Sequence, residues 1–324
     1  MEGSDTATFY TRDRRRLHGE TAVRRADSSF EGVRTVYLGT SPFAVAVLER
    51  LAASDHRPQL VVTRPDRPRG RGRRVLPPPV ADAARELGIE VLQPGSVNSE
   101  EARAAIAAAR PDGVAICAFG ALIREPLLSE HPMWNVHPSL LPRWRGAAPI
   151  ERAIEAGDAV TGVTIMRPTA EMDAGPVCLQ AEEPLRPDDD YGTLSARLQE
   201  LGGELLVRSL DEMLPFREQP AEGVTYAEKI GPEDRRLDPG LDAIALERRV
   251  RALNPQVGTF IEQPRLGVRR ALAVADSVSP GTLRALDGRL LFGAADGALE
   301  LLQVVPPGSR PMDAAAYLRG HGVP

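Results

Sequence analysis

Two spacings of apolar residues alternate along this chain. Short, nearly unbroken apolar runs, the mark of strands buried on both faces, fall at 33–40 (VRTVYLGT), 60–63, 91–93, 113–118 and 134–137, and again at 163–167 and 177–180. Stretches of helical character predict helices over 42–51, 80–87, 99–109 and 149–156, the first opened by Pro42 behind Ser41 as N-cap. A longer helix over 193–214 sets Leu194, Leu198, Leu201 and Leu205 on one face and stops at Pro215. Strands alternating with helices predict an α/β fold, a doubly wound and mostly parallel sheet.

After the polar stretch 217–223 the texture changes. A helix over 241–253 precedes short β-like pieces at 259–261, 271–274, 282–286, 289–292 and 299–304, separated by Gly, Pro and Asp-Gly turns. These predict a small C-terminal β-barrel of the oligonucleotide-binding (OB-like) kind. Residues 1–32 have no apolar period and mix six arginines with six acids, which predicts a disordered extension. The expected organisation is therefore an extension at 1–32, an α/β domain at 33–214, a linker at 215–225 and an OB-like β-barrel domain at 226–324.

With 324 residues, 42% hydrophobic and 26% charged, the chain can bury a substantial core, and no stretch approaches the ~18 apolar residues of a membrane span. Cys117 and Cys178 stand apart in apolar runs, a usage that fits a reducing, cytoplasmic compartment. The histidines are too scattered for a recognisable metal site, so no metal is expected. The net charge of -5 hides one basic segment, 64–74, with six arginines against the single Asp66. Pro65, Pro68, Gly70 and Gly72 predict an irregular loop there, with the composition of a grip on backbone phosphates. A solvated loop has the same composition. Lys229 is the only lysine, so the arginine bias itself carries no functional weight.

In an open α/β sheet ligands bind beyond the carboxyl ends of the strands. The strand at 134–137 ends in Asn135-Val136-His137, and alternation turns Asn135 and His137 to one face: an amide able to hold an oxyanion beside an imidazole able to move a proton. Asp173 follows in the turn-forming run EMDAG; a carboxylate beside an imidazole orients it. A hydrogen-bonded strand-end histidine and a plain turn aspartate fit the same spacings, which leave these readings open. The turn Gly39-Thr40-Ser41-Pro42 lacks the glycines of a dinucleotide fingerprint, and neither a phosphate loop nor a nucleophile elbow occurs. Trp144 could stack on a base or pterin, or pack on the surface.

The residues themselves say more than their types. The run 135–150 (NVHPSLLPRWRGAAPI), with 161–166 (TGVTIM), 172–175 (MDAG), 37–40 (YLGT), PDRP and GRG within 65–72, 118–120 (AFG) and 225–230 (TYAEKI), closely resembles the methionyl-tRNA formyltransferase family of folate-dependent enzymes, from residue 33 onward. The resemblance implies a Rossmann-like formyltransferase domain. It implies formyl transfer from the cosubstrate 10-formyltetrahydrofolate to the α-amine of methionine on initiator tRNA, with Asn135, His137 and Asp173 as catalytic residues. It implies folate contacts at Ala118, Phe119, Gly120, Leu122, Ser139, Leu140, Leu141, Pro142, Met172 and Gly175, and tRNA contacts at Arg67, Arg69, Arg71, Arg73 and Arg74. A monomer, no membrane partner and a start at Val33 are expected with it. The chain departs from the family at Gln256 and Val257, where an aromatic residue and a second proline often stand. Competing readings are transfer to a sugar amine, a tRNA-binding protein on an inactive enzyme fold, and hydrolysis of the same folate.

Overall fold

The computed structural model describes residues 32–69 and 74–322, of Arg69 the backbone only. The expected disordered extension, apart from Gly32, lies outside them, as do Arg71 and Arg73. The chain divides into two compact units. The first holds the residues through Arg145, Thr161–Glu183 and Ala196–Thr225; the second holds Gly146–Val160, Pro184–Ser195 and the chain from Tyr226 on.

In chain order the elements of the α/β region are β1 (Thr35–Gly39), α1 (Pro42–Ala52), β2 (Pro58–Val62), β3 (Arg67–Arg69), β4 (Arg74–Leu76), α2 (Pro79–Glu86), β5 (Glu90–Leu92), α3 (Glu100–Ala108), β6 (Gly113–Cys117), α4 (Leu127–Glu130), β7 (Met133–His137), β8 (Arg145–Gly146), α5 (Pro149–Ala156), β9 (Val160–Met166), β10 (Val177–Pro184) and α6 (Tyr191–Asp211). Their sheet runs β10-β9-β7-β6-β1-β2-β5. The pairs β1–β2, β1–β6, β2–β5 and β6–β7 are parallel, and β7–β9 is antiparallel. The parallel-dominated sheet agrees with the sequence reading, and β1 and β6 are buried along their whole length, as uninterrupted apolar runs require. The predicted cap at Ser41 forms, its side chain accepting from the Ala44 N–H; Ser99, read from the sequence as the first residue of a helix, also caps, accepting from the Ala102 N–H. Val36, Leu38, Val62, Val114, Ile116 and Ile106 fill the core on one face of the sheet.

One expectation needs correcting here. The arginine-rich segment is not irregular throughout, because β3 and β4 form an antiparallel ladder pairing Arg67 with Leu76, Pro68 with Val75 and Arg69 with Arg74. A two-stranded ribbon has two outer edges, so a proline whose missing N–H faces outward costs no ladder bond.

The remaining elements are β11 (Tyr226–Ala227), α7 (Ala243–Leu253), β12 (Thr259–Ile261), β13 (Leu266–Val274), β14 (Leu283–Leu286), β15 (Arg289–Gly293), β16 (Ala298–Val305), β17 (Met312–Asp313) and α8 (Ala314–Gly320). The antiparallel sheet of the second unit runs β12-β13-β16-β15-β14, with β17 beside β16. The path ends at β12 and β14, so among the described residues it is an open sheet and not the closed barrel expected. Leu246 and Val250 of α7 and Tyr317 of α8 supply core that a barrel would draw from its own strands. In the same unit Arg152 of α5 pairs with Glu155 at 2.6 Å and Asp234 at 3.0 Å, while Arg249 of α7 lies 3.5 Å from Glu155.

Candidate active site

The strand order reverses between β1 and β6, and ligands of such sheets bind beyond the carboxyl ends of the strands at that switch. There the loops after β1 and β6 are tied together by the Thr40 hydroxyl, which donates to the Phe119 carbonyl at 2.7 Å. The next strand over, β7, ends in His137. Its register against β9 sets Asn135 opposite Met166 and His137 opposite Thr164.

His137 is buried, at 4% exposure. Its Nε2 lies 2.9 Å from the Trp144 carbonyl, and a carbonyl only accepts, so the proton of the neutral ring sits on Nε2. Nδ1 therefore carries the lone pair, and it faces the Asp173 carboxylate with Oδ2 at 3.7 Å. The structure thus brings together the imidazole and the carboxylate that the sequence separates by 36 positions. Asn135 is half-buried and its Nδ2 donates to the Met166 thioether at 3.5 Å, a weak acceptor easily exchanged for an oxygen.

The loop that delivers the Trp144 carbonyl is held from several sides. The Thr164 hydroxyl donates to the Ser139 carbonyl at 2.6 Å and accepts from the Leu141 N–H at 3.1 Å; Gln180 donates to the Leu141 carbonyl and to Thr164, both at 2.8 Å. The Ser139 hydroxyl closes the turn on the Arg143 carbonyl at 2.6 Å, and Thr225 receives the Trp144 N–H on its hydroxyl at 2.9 Å. Trp144 contributes by its main chain here, while its ring carries the Arg143 guanidinium at 4.3 Å. Ala118, Trp144 and Asp173 all have positive φ (42°, 63° and 49°), a conformation that costs an L residue about 1–3 kcal/mol and clusters at functional sites.

The residues expected to touch folate divide in two. Phe119, Ser139 and Leu141 are buried in the protein's own packing, and the main chain of Ser139 and Leu141 is bonded within the loop itself through Thr164 and Gln180. Leu122 and Met172 are instead exposed large apolar side chains, 51% and 60%, of the kind that covers a flat ring. Leu140 and Pro142 are half-buried, and Ala118 and Gly120 exposed. Gly175 is buried, and an added Cβ would stand 1.9 Å from the Arg167 carbonyl, so only glycine lets the Asp173 turn close onto its neighbour. At the base of the arginine hairpin Gln93 donates to the Arg64 carbonyl at 3.0 Å and to Asp66 at 2.7 Å, and the Arg64 guanidinium donates to the Gly120 carbonyl. Arg67 and Arg74 are exposed.

Sequence reasoning passes over Thr164, Gln180, Gln219 and Thr225 as individual residues. No local signal marks them, since each acts on a partner 16 to 81 positions away.

Residues 33–210 match the formyl transferase family, and residues 229–322 match its C-terminal domain family. The methionyl-tRNA formyltransferase of Methylococcus capsulatus is 42% identical over 301 residues, 90% of this chain and 98% of that protein. That of a Nocardioides species is 42% identical over 300 residues, covering 89% and 95%. Among solved structures, HypX from Aquifex aeolicus in complex with tetrahydrofolic acid has a TM-score of 0.60 at 18% identity; 89% of this chain spans 47% of HypX. The sugar 3N-formyl transferase WlaRD has a TM-score of 0.61 at 14% identity, covering 83% and 96%. These two likenesses concern the fold alone. Matched by both domain families and by relatives along nine-tenths of its length, the chain belongs to the formyl transferase family.

Proposed function

We propose that this protein transfers the formyl group of 10-formyltetrahydrofolate to the α-amine of methionine carried by initiator tRNA, for the start of translation. The observation that carries this reading is the meeting of His137 and Asp173 beyond the end of β7, in a chain whose relatives along almost their whole length are methionyl-tRNA formyltransferases. In the reaction the amine nitrogen bonds the formyl carbon, the bond from that carbon to the folate nitrogen breaks, and the amine's proton ends on the folate nitrogen. The folate supplies an activated one-carbon acyl group. Asn135 Nδ2 stabilises the negative charge that grows on the formyl oxygen. His137, anchored through Nε2, takes and returns a proton at Nδ1, and Asp173 holds that proton in line.

Leu122 and Met172, with Leu140 and Pro142, supply apolar cover for the pterin, while the main chain at Ala118 and Gly120 supplies its polar contacts. Arg67 and Arg74, with Arg69, Arg71 and Arg73 between them, grip the acceptor-stem phosphates, a local positive charge on an acidic protein. Residues 33–214 are the catalytic domain and 215–225 the linker. Residues 226–324 are a second tRNA-binding surface related to the OB kind, a reading supported by the antiparallel sheet. The protein works in the cytoplasm as a monomer, in keeping with its substrates.

The test is release of tetrahydrofolate from 10-formyltetrahydrofolate with methionyl initiator tRNA, uncharged tRNA, a sugar amine or no acceptor. Release only with the charged tRNA, and formyl recovered on its methionine, is the expected result. Release with the sugar amine or without acceptor overturns it.

A further inference from the structure

The segment that follows α6 reads in sequence as a polar linker, yet it reaches into the catalytic constellation. Arg217 and Val177 exchange both main-chain bonds, at 2.7 and 2.9 Å, which pins the segment against the start of β10. Two residues later the Gln219 carboxamide uses its full capacity of two donors and two acceptors. Its Oε1 accepts from Arg145 Nε at 3.1 Å and Nη2 at 2.8 Å; its Nε2 donates to the Asp173 carbonyl at 2.7 Å and the Gly175 carbonyl at 2.8 Å. The orientation of the amide follows from its partners, because a guanidinium only donates and carbonyls only accept.

Asp173 holds a left-handed φ of 49°, and such a conformation persists only where the surroundings over-determine it. Gln219 takes the carbonyl of Asp173 itself and that of the residue two further on, and so brackets the turn. Behind it Arg145, 8% exposed, also lies 3.6 Å from Glu171 at the start of the same turn.

We propose that Gln219, backed by Arg145, is a positioning residue that sets the Asp173 carboxylate against His137 Nδ1, which makes the linker a working part of the active site. The inference rests on the reading of His137 and Asp173 as the reacting pair. Gln219 does not touch substrate; it acts through the turn.

The informative variant is Gln219→Glu in the full-length protein, which keeps the length and the acceptor for Arg145 but offers no donor to the two carbonyls. Formyl transfer to methionyl initiator tRNA is followed with KM for both substrates, a pH–rate profile and the melting temperature, beside Asp173→Ala and the double variant. We expect kcat to fall on the order of 10- to 100-fold, as small misplacements of a reacting group do, with both KM values within about twofold. The pH–rate profile shifts, and adding Gln219→Glu to Asp173→Ala costs little more. Wild-type kcat and pH profile in Gln219→Glu, while Asp173→Ala is inactive, overturn the positioning role and leave the catalytic reading standing. Full activity in Asp173→Ala removes the catalytic reading itself. If Gln219→Glu does not fold, Arg145→Lys takes its place, since an ammonium on a flexible stem cannot reproduce the planar fork by which Nε and Nη2 both hold Gln219 Oε1: a selective loss of kcat is expected, and an unchanged kcat overturns the proposal.

Discussion

His56, in the turn before β2, and His137, at the end of β7, are both buried histidines, and each faces a carboxylate. Around His56, which is 0% exposed, both ring nitrogens are satisfied: Nδ1 accepts from the Val33 N–H at 2.9 Å, and Nε2 lies 2.9 Å from Asp211. Around His137, among the described residues, Nε2 alone has a partner at hydrogen-bond distance, and the carboxylate on the other side stands back at 3.7 Å. A ring with both nitrogens spent can only hold structure together. A ring with one nitrogen anchored and the other aimed at an acid that leaves it room can exchange a proton. Burial and a nearby carboxylate do not distinguish the two; the completeness of the hydrogen bonding does.

The sharpest test of that contrast is His137→Ala, for which turnover should fall by roughly 100- to 10,000-fold, the share a positioned acid or base supplies, while folate binding survives. Near-normal turnover would reverse the roles of the two rings. His56→Ala should do the opposite. Loss of the buried ring strands the Val33 N–H and opens a cavity, so denaturant titration should show about 1–3 kcal/mol less stability, with kcat of the folded protein unchanged. A kcat loss comparable to that of His137→Ala would end the distinction.

Glu151 extends the comparison to a half-buried acid. Burial at the start of α5 pushes its carboxyl up to about 7, against the pull of Arg152, and Tyr191's own burial, with the Glu151 charge beside it, pushes the Tyr191 hydroxyl up to about 12. A carboxyl raised in the folded state favours folding while both states are protonated, and that advantage is lost as pH rises through about 7. Glu151→Gln should therefore raise the melting temperature at pH 8 and change it little at pH 4; equal shifts at both would contradict the burial argument. The smallest effect on stability is expected at the exposed end of the scale. Arg67→Ala with Arg74→Ala should move stability by no more than about 0.5 kcal/mol yet raise KM for the charged tRNA and flatten its salt dependence, by about one unit of log–log slope for each phosphate no longer neutralised. An unchanged salt slope would return the hairpin to plain solvent exposure.

The alternation of buried runs and helical stretches is legible in the sequence because each strand of a parallel sheet is buried on both faces and each helix carries one apolar stripe. That periodicity suffices for the order of elements, for the cap at Ser41, and for the placement of Asn135 and His137 on one face of a strand end. The ladder of β3 on β4 is not legible, because proline and glycine argue against strands in general while a two-stranded ribbon leaves its outer edges free of that rule. The open antiparallel sheet reads as a barrel for a related reason: short strands and turns look alike whether a sheet closes on itself or is completed by α7 and α8.

What the sequence determined by itself is local: which segments are strands or helices, which side chains share a face, and, through its long motifs, membership in a family of formyl transfer enzymes. What only the tertiary structure decided is which distant groups meet. The proton on His137 Nε2 is set by a carbonyl seven residues away, the direction of Asp173 by a left-handed turn, and that turn by Gln219 from 44 to 46 positions along the chain. Hydrogen bonds act over about 3 Å and leave no period in the sequence, so their partners become visible only when the fold has brought them together.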